Sequence, residues 1–501
     1  MRGLASTQLS PGAHTCVVVG AVDEAEKLDL SRYRSVLWFT RDAATATQPA
    51  GLDPARLHIE PVNRLDPDRA TTSVDDLIRR DALHLPSVIV TGEAVGASAD
   101  SYLPVIETIF AQFESHQRAR TTRQQDGFTW QSHVLSNLSA YAHRRVPPAW
   151  AGALTGLPAF ICGAGPSLDA SLANLLPFSE HGVIFAADSA LGALARVGVT
   201  ADFAVSVDAR KRPEKCLVPG HASAGRVILA SISPPDWQHS VSEHKLHYLS
   251  GKQLTEDALV GLGLEKTAVS IEENCGITAL ALALHLGCGP IYLFGMDHAV
   301  DSKEANRWHQ RHADPSFEQQ IGFHAGRTYP KVPGNYQAEI ATPLFREWRA
   351  LDARCAALPA GLVANVIDRG ARLRNTTLVH PDTFSPGPGG ADKVDRLESL
   401  ATVECVGEPD WQQMRASLER VADRATENIT RARAALTGGQ SEDVIKFLAA
   451  AFKRREASLL FGNYSLKILP HLVRPDAADP GLWDQLLHEC ETLVTLAQNL
   501  R

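Results

Sequence analysis

Two sets of residues in this chain have the types and spacing to handle a phosphorylated ligand. The first is a small-residue loop, Gly163, Gly165, Pro166 and Ser167, set between the apolar run Ala159–Cys162 and a helical repeat at Leu168, Leu172, Leu175 and Leu176. Without a Cβ, Gly163 and Gly165 can turn sharply and let a ligand approach the backbone, and Ser167 can cap a helix whose free N–H groups attract phosphate. The second is a set of acids behind apolar runs: Asp188 after residues 183–187, Asp208 after residues 203–207, and Asp297 just beyond residues 291–294. Cys275 and Gly276 stand where another apolar run, residues 277–286, begins. They offer a second surface for an anion or a ribose. The chemistry expected of such a rim is nucleotide or sugar-nucleotide binding. A dinucleotide is disfavoured, because Leu168 stands where that fingerprint needs its third glycine.

These residues meet only if an open parallel sheet brings them together, since such sheets bind ligands in the crevice beyond the carboxyl ends of their strands. The pattern supplies one. Strands are expected at residues 159–162, 183–187, 203–207, 227–230, 246–249, 291–294 and 362–366, and the helix over 277–286 is apolar nearly all round, as a helix buried against a sheet must be. Four cations, Arg210, Lys211, Arg212 and Lys215, follow Asp208 at the same rim. From residue 298 to 337 the chain turns polar and carries His298, His309, His312, His324, Arg307, Arg311, Arg327, Lys331 and Tyr329, the composition of a lid or acceptor loop from which a histidine base could come. Upstream, short β-like runs at 16–19, 36–39, 57–60 and 88–90 alternate with amphipathic stretches and read as a separate α/β layer. A helix is expected over 130–141, stopping before Pro147. Downstream of the linker SPGPGG at 385–390, helical patterns run over 411–436, 442–461 and 483–500. The expected domains are therefore 1–125, α/β; 126–384, Rossmann-like; and 385–501, helical.

A chain of 501 residues with net charge −8 is too long for one core and too acidic for a nucleic-acid binder that depends on a broad basic face. Its eight cysteines form no Cys-x-x-Cys pair, no apolar run reaches the length of a membrane span, and the N-terminal stretch MRGLASTQLSPGAH has no continuous apolar core like that of a signal peptide. A reduced cytoplasmic protein is the expectation.

The motifs LTGLPAFICGAGPSLD, AADSALGAL, GVTADFAVSVD, CGITALALALHLGCGPIYLFGMD, VPGNYQAEIATPLFREW and ANVIDRGARLRNT, in that order over roughly residues 130–380, resemble the core of the motility-associated-factor (Maf) glycosyltransferases. That core is shared with the 6-hydroxymethylpterin diphosphokinase-like proteins and is similar to bacterial sialyltransferases. The resemblance implies a doubly wound α/β fold and a cytoplasmic enzyme that moves a nonulosonic acid, pseudaminic or legionaminic, from its CMP-activated form to Ser or Thr of flagellin. It implies that Gly163, Gly165, Pro166 and Ser167 face the nucleotide, that Asp188 and Asp208 lie near its ribose, base or phosphate, and that Asn274, Cys275 and Gly276 form a second wall. Two positions depart from the sialyltransferase pattern. Asn335 stands where those enzymes carry a histidine base, and Asp188 and Asp208 stand where they tend to carry asparagines. Paired carboxylates beside a phosphate keep a Mg²⁺-assisted reaction open. Asp297 and His324 are then the candidates for accepting the proton of the attacking hydroxyl. The alternatives are a Mg²⁺-dependent pterin-type diphosphokinase using ATP, and a sugar-nucleotide-binding adaptor without catalysis.

Overall fold

The computed structural model describes residues 4–8, 12–21, 29–41, 43, 53–64, 67–81, 84–96, 98–220, 224–300, 329–386, 392–400, 411–473 and 479–500. The chain divides into two compact units, residues 1–124 and 125–501.

The first unit carries a five-stranded sheet of β1 (Leu4–Gln8), β2 (Thr15–Val19), β3 (Ser35–Thr40), β4 (Leu57–Pro61) and β5 (Ser87–Thr91) in the order β1-β5-β2-β3-β4. Only β1 runs antiparallel. The central strands read as continuous apolar runs because both faces are covered: Val17, Val19, Leu37 and Phe39 pack under α1 (Pro67–Arg79) and the start of α2 (Ala99–His143), and Cys16, Val18, Val36 and Trp38 pack on the other side. Helix α2 has 45 residues and joins the two stretches, 103–113 and 130–141, that the apolar spacing marked separately. The polar residues between them, 114–126, are mostly good helix formers and contain no proline, so the helix continues through the expected boundary at 125.

The second unit is built on eight strands, all parallel: β6 (Ala159–Cys162), β7 (Val183–Ala187), β8 (Phe203–Ser206), β9 (Arg226–Ala230), β10 (Leu246–Leu249), β11 (Ile291–Phe294), β14 (Val363–Val366) and β15 (Thr377–Val379). A small hairpin of β12 (Lys331–Pro333) and β13 (Glu339–Ala341) lies apart from that sheet. The strand order is β10-β9-β8-β7-β6-β11-β14-β15. The chain starts in the middle at β6, works outward to β10, and returns to the other side of β6 with β11. The direction reverses between β6 and β11, so the crevice of this sheet opens at the ends of those two strands.

One face is covered by α5 (Cys275–His285), α6 (Phe345–Ala356) and Trp150, over Ile161, Phe185 and Leu293. The other packs against the C-terminal part of α2, α3 (Ser167–Leu175) and α4 (Leu191–Arg196). Helices α7 (Trp411–Thr437), α8 (Ser441–Phe452) and α9 (Pro480–Gln498) share the same apolar cluster, through residues such as Leu418, Leu448 and Trp483. The sequence drew a boundary at 384/385. In the structure the helices beyond it share one core with the sheet, so residues 125–501 form a single unit. The architecture is the expected one, a doubly wound Rossmann-like sheet with an α/β unit before it and a helical region after it.

Candidate functional site

The glycine loop leaves β6 and closes onto the end of β11. The N–H of Gly163 donates to Phe294 O at 2.7 Å and that of Gly165 to Gly295 O at 2.8 Å. A Cβ on Gly165 would lie 2.1 Å from Asp297 Oδ2, and one on Gly163 would lie 2.5 Å from Gly295 O and 2.6 Å from Met296 Sδ. Neither glycine tolerates a side chain, and the group each accommodates belongs to the protein itself. Gly276, at the start of α5, is in the same position: its Cβ would meet Met296 Sδ at 2.6 Å. Met296 is thus wedged between the glycine loop and α5.

Ser167 differs from the expected cap. It is the first residue of α3, and both of its donors reach Asp297: its N–H at 3.1 and 3.3 Å from the two carboxylate oxygens, and its hydroxyl at 2.7 Å from Oδ2. The positive end of α3, which the sequence offered to a phosphate, holds an internal carboxylate. Asp297 is 2% exposed, and burial pushes its carboxyl up to about 7 against the opposing pull of the Ser167 hydrogen bonds. Its backbone O accepts from Ala371 N, and Gly370, at φ +84°, packs on its Cα. A side chain so enclosed clasps α3 to β11. The sequence offered Asp297 as the acceptor of a substrate proton; in the structure it is buried, with both carboxylate oxygens accepting from Ser167. His324, the other candidate, lies outside the described residues.

Asp188 follows β7 and is 3% exposed. Its Oδ1 accepts from Ser189 N at 2.6 Å and Ser189 Oγ at 3.0 Å, and its Oδ2 from Ser206 Oγ at 2.9 Å and Cys275 Sγ at 3.5 Å. Four donors fill the lone-pair directions of one carboxylate. Asp188 therefore ties the ends of β7 and β8 to the start of α5. Among the described residues no group of three or more His, Cys, Asp and Glu side chains is arranged to hold a metal ion. The pair that suggested Mg²⁺ does not fit it, because Asp188 has no oxygen to give.

Asp208 is different. It is exposed, and its one hydrogen bond among the described residues is to Oδ1, from Arg210 N at 2.8 Å. Surrounding protein raises its carboxyl above the ordinary range by desolvation, and the Asp188 charge adds to the rise. Arg210 turns away to Asp126 at 2.6 Å, and Arg212 pairs with Glu214 and Asp236.

Helix α5 is capped by Asn274, whose Oδ1 accepts from Ile277 N at 2.9 Å. The N–H groups of Cys275 and Gly276 keep no acceptor among the described residues. The Asn274 amide also faces His298 Nε2 at 3.3 Å, and His298 Nδ1 faces Met296 O at 3.1 Å. A carbonyl only accepts, so Nδ1 carries the proton and Nε2 accepts from Asn274. His298 sits at φ +42°, a left-handed backbone uncommon outside glycine, and burial pulls it down to about 4. The sequence grouped it with a polar excursion. The structure makes it a neutral bridge from β11 to α5, and its position immediately after the third strand-end acid was the signal. Asn335 clamps the loop after β14, donating to Arg369 O at 3.0 Å and Ala371 O at 3.1 Å.

The site residues the sequence singled out in the described chain thus form one connected rim, from Ser167–Asp297 through Met296 and Gly276 to Cys275–Asp188, with Asp208 acting on the same groups. Residues 132–303, which carry most of that rim, match the family model for 6-hydroxymethylpterin diphosphokinase MptE-like proteins. The fold as a whole is similar to a solved Maf glycosyltransferase from Magnetospirillum magneticum AMB-1, with a TM-score of 0.55 and 16% identity over 97% of this chain and 78% of that one. Residues 132–303 are therefore similar to MptE-like proteins, within a fold similar to that of the Maf enzyme, as the motifs implied. No curated protein matches it.

Proposed function

We propose that this protein is a glycosyltransferase that moves a nonulosonic acid from a CMP-activated donor to a Ser or Thr hydroxyl of flagellin. The observation that carries this reading is the meeting of the strand-end residues at the switch point of a sheet whose surrounding chain shares the Maf fold almost end to end. The phosphate of the donor goes to the N–H groups of Cys275 and Gly276, which keep no acceptor among the described residues, at the positive end of α5. Asp188, Asn274 and His298 hold that helix start in place. Gly163, Gly165, Pro166 and Ser167 shape the floor through their contact with β11, and Asp297 keeps the floor closed. As the sugar leaves CMP, charge develops on the phosphate, which fixed dipoles stabilise without reorganising.

The match to MptE-like proteins favours a second reading, diphosphoryl transfer from ATP. Thermal denaturation separates the two. CMP at about 100 times its dissociation constant should stabilise the protein by about 2.7 kcal/mol. ATP with Mg²⁺ should leave the midpoint unchanged, and CMP-pseudaminic or CMP-legionaminic acid with flagellin should yield free CMP. Stabilisation by ATP alone, or none by CMP, would overturn the transferase reading.

A further inference from the structure

The three strand-end acids look alike in sequence and are unlike in the structure. Asp188 gives all of its lone-pair directions to Ser189, Ser206 and Cys275, and Asp297 is enclosed by Ser167 and Gly165. His298 is engaged at both nitrogens, and Asn335, at the position where sialyltransferases carry a histidine, is engaged through its amide. Asp208 alone of these reaches solvent, and its Oδ2 accepts nothing from the described residues while Arg210 N fixes Oδ1. It lies two residues past the end of β8, and the Cys275 thiol lies against the backbone of its neighbour Val207. Asp208 is therefore the chain neighbour of a residue that touches the start of α5, where the N–H groups of Cys275 and Gly276 keep no acceptor among the described residues.

We propose that Asp208 is the base that takes the proton from the acceptor hydroxyl. The inference rests on the transferase reading and assigns its missing catalytic group. The acceptor O–H bond breaks as its proton passes to Asp208 Oδ2, the oxygen forms a bond to the anomeric carbon, and the bond from that carbon to the CMP phosphate breaks with its electron pair going to CMP. Asp208 then returns the proton to water. The ionisable groups facing it are Asp188 from the end of β7, Arg210 and Lys211 from its own loop, Cys216 from the following turn of helix and Cys275 from α5, with Asp126 of α2 engaging Arg210. The like charge of Asp188 and the crowding of the site both favour the protonated form, which brings the carboxyl closer to neutral and makes it a better base.

The test is Asp208→Asn, which keeps the oxygen that accepts from Arg210 N and removes the basic one. The expected result is a fall in kcat of about 10²–10⁴-fold, the range of general base catalysis, with CMP affinity within about twofold of the parent and the acid limb of the pH–kcat profile lost. Asp208→Glu should recover part of kcat and restore the acid limb. Transfer within about threefold of the parent, or parallel loss of CMP binding and turnover, would overturn the assignment. If the unsubstituted protein neither binds CMP nor releases it from the donor, the transferase reading itself fails. A parent that turns over alongside an equally active D208N removes only the role of Asp208.

Discussion

Asp297 shows how burial decides what an acid does. Two donors from one serine favour its ionised form, yet the loss of water outweighs them and moves the carboxyl from about 3.9 in an unfolded chain to about 7. The sign for stability follows. Between those values the folded chain holds a proton that the unfolded chain has lost, so this group's contribution falls as pH rises from about 4 to 7, by a few kcal/mol at most. His298 works the other way in the same window, because its folded value is lowered to about 4 and the unfolded chain takes up the proton first. The parent's own pH profile mixes the two. Asp297→Asn isolates the first, since its amide still accepts from Ser167 N and can donate to the hydroxyl. The midpoint difference, variant minus parent, should be small at pH 5 and grow by a few degrees by pH 8, as followed by circular dichroism. A difference that stays constant or shrinks would show that Asp297 is not raised. The sequence made the three acids legible as strand-end residues, because an apolar run followed by Asp is a strong local pattern. It hid their different fates. These depend on Ser167 meeting a residue 130 positions away and on Ser206 and Cys275 converging on Asp188.

At the level of elements, local signals were sufficient wherever the element's own residues determine it. The run 277–286 is apolar nearly all round and is α5; the loop from β6 enters α3 as its glycines and leucines required. The β6–β11 pairing had no such signal, since it joins segments far apart in the chain, and with it went the reason for the glycines. The linker expected at 385–390 lies mostly outside the described residues, and composition does not say whether the helices beyond it keep a core of their own. Leu418, Leu448, Phe461, Trp483 and Leu486 are each at most 3% exposed and share a cluster with Leu135 and Leu172. A fragment of residues 125–384 would present the sheet side of that cluster to water at about 25 cal/mol per Å². It should express as aggregate or bind a hydrophobic dye strongly, whereas residues 125–501 should remain monodisperse in gel filtration. A stable, monodisperse 125–384 would show that the two parts are separable.

For the molecule as a whole, two units with separate sheets predict more than one unfolding event. Calorimetry of the full chain should resolve two transitions, and CMP should raise only the one that belongs to residues 125–501. A single transition that CMP moves in one piece would mean the units melt together. The placement of β6 at the centre of its sheet also bears on how the chain comes off the ribosome. Its residues, AFIC, are buried on both sides, and one flank stays unpaired until β11 has been made, more than a hundred residues later. Throughout that interval a nascent chain displays a short, greasy strand with its N–H and C=O groups unmet, a template for sticking to neighbouring chains. Any truncation or stall short of residue 294 should therefore be a chaperone client.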